Sequence, residues 1–326
     1  MSRRVRAALV GATLVALLAA CAAPLPEPEP DPVPAVPPPA LSVARADEIL
    51  ADLGATLAEA DAAASPEALQ PRVTDPAATI RASQYVRATA GDTTAVTVIP
   101  EDWQTLVVPT TDTWPRTVMV VTAAPDDLQA PLLLTLVQDT PRAQFRMSAW
   151  ARLFPGVQMP ATAEPELGSA PLPGDSDALA VAPEDVLAQY VDVLTSREDS
   201  AYTDAFAPDP LSTAIAAQAD GWSAAVAGRG TLTQTYQVID GPWSLATAEG
   251  GGLVVGAIQT VTALTLVDST LTIGDLTASL LGTSTVSSDL TITWLSVVVF
   301  DVPPAGSSDP IEVLGAEHAP VQVTGS

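Results

Sequence analysis

Asp47-Glu48-Ile49-Leu50-Ala51 and Glu184-Asp185-Val186-Leu187-Ala188 carry one pattern twice. In each, two acids precede a branched apolar residue, a leucine and an alanine. Leu57 and Leu194 follow at the same offset. After the first copy, Ile49, Leu50, Leu53 and Leu57 form a stripe at helical spacing, with Asp47, Glu48, Asp52 and Glu59 off it. After the second, Leu187, Tyr190, Val191 and Leu194 do the same. Further helix starts follow each copy. Ser65-Pro66-Glu67 and Asp75-Pro76 lie in the first half, and Asp209-Pro210 in the second, before Leu211, Ile215, Trp222 and Val226.

Beyond these helices both halves change period. Thr93–Ile99, Thr105–Val108, Thr117–Thr122 and Leu132–Gln138 are β-branched or apolar runs separated by Pro, Asp or Gly. The second half continues as Thr231–Ile239, Leu253–Val267, Thr270–Leu281, Asp289–Val302 and Ile311–Thr324, with glycines 250–252 as a hairpin turn. This order predicts an α+β protein of two similar units, each with helices followed by a curved antiparallel sheet. The units are placed at 42–163 and 181–326, with 164–180, rich in Pro, Gly, Ser and acid, as the linker.

Upstream of the first unit lies an address. Arg3, Arg4 and Arg6 precede the uncharged apolar stretch Ala7–Leu18, and Leu18-Ala19-Ala20-Cys21 closes it. With Ala19 and Ala20 included the stretch is 14 residues long, short of the ~20 needed to span a bilayer. Residues 1–20 are therefore expected to be a removable signal peptide, with Cys21 the acylated first residue of the mature chain. Segment 21–41 is a proline-rich stalk, with nine prolines between Ala22 and Ala40. In a polyproline-like conformation it would reach roughly 60 Å.

Composition narrows the function. The formal net charge is −25, and cleavage of the signal removes three arginines and no acid. Such a surface repels nucleic acid and anionic headgroups, so neither is expected as a partner beyond the lipid on Cys21. The 13 basic residues are all arginine, which removes a phosphate-loop lysine, a Schiff base and a Ser-x-x-Lys site. There is one histidine, His318, and no Gly-x-Ser-x-Gly elbow, so His318 reads as an edge-strand residue in contact with water. One cysteine and one histidine leave no structural zinc site and no internal disulfide. Asp126-Asp127 reads as a solvated turn, and no calcium loop is present. No catalytic residue, metal or cofactor is expected.

One polar cluster stands out. From Phe145 to Leu153 the chain alternates, so Arg146, Trp150 and Arg152 are expected to share a strand face. Two forked guanidinium groups beside an indole could hold a carboxylate or phosphate. The competing expectation is an outer face whose arginines pair with surplus acids.

The helices-then-sheet order resembles the NTF2-like (cystatin-like) fold, which implies a curved sheet around a pocket. The lipobox, Pro115-Arg116-Thr117-Val118-Met119-Val120-Val121, Arg152-Leu153-Phe154-Pro155-Gly156-Val157 and Ala182-Pro183-Glu184-Asp185 resemble uncharacterised actinobacterial lipoproteins. That resemblance implies an extracytoplasmic, lipid-anchored protein at the cell membrane, from a family without an assigned activity. Three roles follow from the sequence. The first is a non-catalytic binding or interaction module of the cell envelope. The second is an NTF2-like pocket for a small ligand or metal-free catalysis. The third is a solute-capture lipoprotein of a transporter.

Overall fold

The computed structural model describes residues 37–124 and 129–326. The signal segment, Cys21 and most of the stalk, with Asp126-Asp127, lie outside the described residues. No helix among the described residues is long and apolar enough to cross a membrane.

Helix α1 (Val43–Ala63) begins where Ser42 Oγ accepts a hydrogen bond from the Arg45 N–H (3.3 Å) and buries Ile49, Leu50, Leu53 and Leu57. A short turn at Pro66–Leu69 leads to α2 (Ala77–Thr89). The two helices are tied by a buried ion pair. Arg81, 1% exposed, donates to both Asp61 oxygens (3.0 and 2.6 Å) and to the Thr97 carbonyl, and Tyr85 Oη donates to Asp61 (2.7 Å). Burial and the Asp61 carboxylate raise the Tyr85 pKa. A charge this deep needs several donors and acceptors around it, and Asp61, Gln84 and Thr97 provide them. The same bonds explain why Thr93–Ile99 is not the expected strand. Its backbone is held by side chains of α2, with the Thr97 N–H donating to Gln84 (3.2 Å).

Strands β1 (Trp103–Val107), β2 (Arg116–Thr122), β3 (Leu132–Gln138) and β4 (Arg146–Leu153) follow as an antiparallel meander. The second half repeats the order. Helices α3 (Pro183–Ser196) and α4 (Pro210–Val226) precede β5 (Gly230–Ala246), β6 (Gly252–Leu266), β9 (Asp289–Val302) and β10 (Glu312–Gly325). Pro183 and Pro210 sit in first helical turns, and Asp209 accepts from the Ser212 N–H (2.9 Å). Between β6 and β9 the chain forms the two-residue strands β7 (Leu271–Thr272) and β8 (Thr285–Val286), with helix α5 (Asp275–Leu281) between them. The run Thr270–Leu281 is thus mostly helix where a strand was expected. Gly274 begins this helix, Asp275 stands in its first turn, and Gly282 ends it at φ 82°.

The expected separate sheets are one. All eight long strands form a single antiparallel sheet in the order β1-β2-β3-β4-β10-β9-β6-β5, and residues from 36 onward cluster as one compact unit. The halves join where Arg152 and Leu153 of β4 pair with Ala316 and Gly315 of β10. A Cβ at Gly315 would lie 2.5 Å from the Arg152 carbonyl, so only glycine permits this approach. The segment read as a linker is hydrogen-bonded to both halves. Thr110 N–H donates to Ser169 O (2.8 Å), Ala246 N–H to Ala170 O (2.8 Å), and Ala180 N–H to Pro303 O (2.8 Å).

Three apolar clusters hold the sheet. The largest joins α1, α2 and β1–β4 to Leu245, Leu253, Val255, Leu295, Val297 and Val299, so the sheet curls until its second half packs against its first. On the opposite face Val254, Ile258, Val298 and Phe300 pack beneath α3 and α4 with Tyr190 and Phe206. A third cluster around Trp294, Leu290 and Leu264 lies under the α5 insertion.

Candidate functional site

The three residues expected on one face are not on one face. Leu134 pairs with Trp150, Thr135 with Ala149 and Leu136 with Met147, so Ser148 is an extra residue in β4. A β-bulge reverses the alternation. Trp150 and Arg152 share the side of Leu132, Leu134 and Leu136, and Arg146 turns to the side of Val137. The bulge has a local cause. Beyond Ser148, β4 exchanges hydrogen bonds with the segment before α2, Met147 N–H donating to Arg72 O (2.7 Å) and Thr74 N–H to Met147 O (3.0 Å).

Each side chain is then committed. Arg146 pairs with Asp139 (2.8 Å) at the surface. Arg152 donates to the Ala130 carbonyl (2.8 Å). Trp150 is fully buried in the large core. Its Nε1 makes no hydrogen bond of ordinary geometry, yet the N–H lies near enough to Glu317 to favour that carboxylate's charged form. Burial dominates at Glu317 and raises its pKa, against the opposing influence of Trp150 and Arg152. Trp150 and Arg152 therefore act on a half-buried carboxyl of β10, and Arg146 is turned away from them.

His318, next along β10, points to the other face. It lies on an inner strand of the sheet, half-buried, with its Nε2 enclosed. Its Nδ1 lies 2.8 Å from Ser296 Oγ, and its ring stacks on Trp294 at 4.8 Å and 3°. Burial pushes its pKa down to about 4, which keeps the ring neutral. His318 Nε2, Trp294 Nε1 and Thr260 Oγ1 are buried without hydrogen-bond partners. A serine–histidine pair is the chemistry of a nucleophile and its base, but Ser296 is completely enclosed. The pair works here as a polar filling between the second and third apolar clusters. A lone histidine in a strand gives no sequence signal of its depth.

The surface offers two different environments. Near the β5–β6 turn, Glu249, Asp301, Asp309 and Glu312 line a small groove of ≈270 Å³. Burial, then the charges of Glu312 and Glu249, push Asp301 up to about 6. Among the described residues no group of His, Cys, Asp and Glu has the geometry to hold a metal ion.

The other environment carries no charge but that of Asp289 at its end, which pairs with Thr265 and accepts from its hydroxyl (2.9 Å). Thr231, Thr233, Thr235 and Gln237 of β5, Gln259, Val261, Ala263 and Thr265 of β6, and Thr291 and Thr293 of β9 lie in register on one exposed or half-exposed face. They occupy the alternate positions of strands that, further along, send Leu253, Val255, Leu295 and Val297 into the core. Alternation in the sequence marks these strands but not the face, because the pattern does not say where the core stops. At its margin a groove of ≈520 Å³ is lined by Asp75, Thr79, Asp240, Gln259, Thr293 and Gln322.

The fold and its surfaces define a mixed α+β protein with a curled eight-stranded antiparallel sheet and, among the described residues, five α-helices. The chain belongs to the family described as a domain of unknown function (DUF8094), whose model matches residues 37–325. That span covers both halves of the sheet and begins within the stalk. No curated protein and no solved structure matches the chain.

Proposed function

We propose that this chain is a lipid-anchored protein of the cell envelope, held through Cys21 outside the cytoplasmic membrane, and that it serves as a non-catalytic binding module. The observation that carries this reading is the threonine- and glutamine-bearing face of β5, β6 and β9, charged only at Asp289 on its end, on a chain of net charge −25. Acids elsewhere keep the protein soluble and repel anionic surfaces. A face with so little charge is where an envelope component could approach while displacing few counterions. The run Leu18-Ala19-Ala20-Cys21 and the prolines of 22–40 support a tethered arrangement. The twice-used order of two helices and a four-stranded meander, meeting at the β4–β10 seam, supports descent from a duplicated unit of NTF2-like type.

The test uses the full chain carrying Cys21→Ser, so that lipid does not mask protein binding. Wild-type face residues should give co-sedimentation with isolated cell envelopes, and Thr291→Asp/Thr293→Asp should reduce it at least tenfold with an unchanged melting temperature. Equal sedimentation of both proteins, or of neither, would overturn the assignment of the face. A second reading, a small-ligand site, is favoured only by the ≈520 Å³ groove with Asp75 and Asp240 on its walls. It predicts loss of ligand-induced thermal shifts in Asp75→Asn/Asp240→Asn.

A further inference from the structure

The two outer strands of the sheet are treated differently. Strand β1 spans only Trp103–Val107 and is irregular between Trp103 and Thr105. Just beyond it the segment read as a linker and the end of the stalk cover the chain, with Ser169 N–H donating to Val108 O and Ala40 N–H to Pro109 O (both 2.8 Å). Shortness, irregularity and a covering segment are the usual protections of a sheet edge.

Strand β5 has none of these over Gly230–Ile239. That stretch, Gly-Thr-Leu-Thr-Gln-Thr-Tyr-Gln-Val-Ile, contains no charge and no proline, and pairs without interruption to β6 from Gly230 to Val238. The Val267 N–H donates to Arg229 O (2.8 Å) and the Leu266 N–H to Ser288 O (2.6 Å). In an antiparallel ladder the bonded positions alternate. The backbone groups of Thr231, Thr233, Thr235 and Gln237 therefore face β6, and those of Gly230, Leu232, Gln234, Tyr236 and Val238 face outward. These outward groups have no hydrogen-bond partner among the described residues. The side chains of Leu232, Gln234, Tyr236 and Val238 are only half-buried, as expected where no further strand lies beside them.

We infer that this edge pairs with the same edge of a second copy of the chain, extending the sheet across a two-fold axis. Three features on the strand favour a second copy over an unrelated strand. A two-fold axis perpendicular to the sheet matches residues of like parity, and centring it on Gln234 sets Gly230 against Val238 and Leu232 against Tyr236. All five outward-facing residues of each copy then find partners at once. The neutral run is flanked by Arg229 at one end and Asp240 at the other. In this register each Arg229 falls opposite Ile239 of the second copy, beside that copy's Asp240, so the opposite charges meet reciprocally at both ends. Arg229 makes no ion pair within its own chain among the described residues; its guanidinium donates to Ala225 O, Ser269 Oγ and Thr270 O. Finally, the run brings no acid of one copy against an acid of the other, which two chains of net charge −25 otherwise risk over most of their surface. The inference concerns the strand edge and does not depend on what the adjoining face binds.

The experiment uses the full chain in a Cys21→Ser background, so that an introduced cysteine is the only thiol. In the two-fold register the Gln234 positions are a bonded pair with Cα atoms about 5.5 Å apart, within disulfide reach. Gln234→Cys should oxidise to a covalent dimer, and Thr324→Cys, exposed on β10, should not. Sedimentation should give the two-copy mass for the Cys21→Ser chain. With Thr233→Asp/Thr235→Asp, which sets acids opposite acids across the axis, it should give the one-copy mass with the melting curve retained. A one-copy mass throughout overturns the inference. So does a two-copy mass indifferent to the aspartates, or a Gln234→Cys cross-link formed to other proteins and not to itself.

Discussion

The two halves of the sheet use the same order of elements to opposite ends. Strands β2 and β3 are seven residues long and β4 eight, and nearly every residue in them is buried. Strands β5, β6, β9 and β10 run 14 to 17 residues. Their inner stretches match the short strands and join the shared core. Their outer stretches continue past it, and one face of that continuation is left to solvent. The first half is therefore a wall of the core, and the second is a wall that projects a surface. Strand length relative to the opposing half decides which residues of an alternating strand become core and which become surface.

The strongest way to break this comparison is to empty the wall. Trp150→Ala should destabilise the protein by about 4 kcal/mol, as deletion of a buried aromatic does, read by urea unfolding. A loss under about 1 kcal/mol would mean that the first half is not the closed wall described.

The seam between the halves comes next. Gly315→Ala forces a methyl group against the Arg152 carbonyl and should destabilise by about 3 kcal/mol. If the halves are one cooperative body, calorimetry should show a single transition shifted down. Two separated transitions would restore the picture of independent units.

A pH experiment then probes the second half. An unfolded histidine titrates near 6.5 and His318 near 4. Between these values the unfolded chain binds a proton that the folded chain does not, so stability falls as pH drops from 6.5 toward 4. The loss should reach about 3 kcal/mol. His318→Gln should follow a flatter profile over the same window, so the loss should appear in the difference between wild type and variant.

The smallest effect is at the acidic groove, and its sign is opposite. Asp301 is raised from 3.8 to about 6, so the folded chain holds a proton that the unfolded chain has lost. Stability therefore falls as pH rises through this window. Asp301→Asn should stabilise by about 1 kcal/mol at pH 7, after allowing for solvent screening of a partly exposed group, with the gain disappearing near pH 4. A destabilised variant at pH 7 would show that Asp301 is held by a favourable partner.

Reading the chain from residues alone reached some elements and not others, for identifiable reasons. Leu132–Gln138 is legible as a strand because six consecutive apolar or β-branched residues, Leu132 to Val137, sit between turn formers. The starts at Pro183 and Asp209-Pro210 were legible because capping is local. The expected Arg146, Trp150 and Arg152 face failed at Ser148, whose extra place is defined only against β3. His318 reads as an edge residue from sequence because its neighbours Ser296 and Trp294 belong to another strand.

The sequence by itself determined what short-range chemistry controls. That includes the helix starts, the β-rich runs, the order of two helices followed by strands in each half, the acidity, and the uncharged run from Gly230 to Ile239. Only the tertiary structure decided that the two sets of strands share one sheet, that Gly315 admits β4 beside β10, that β4 is bulged, and that Thr233 faces water where Val255 faces the core. Those outcomes depend on pairing and burial between segments far apart in the chain. Alternation specifies that a strand has two faces, and the packing of the other half specifies what each face meets.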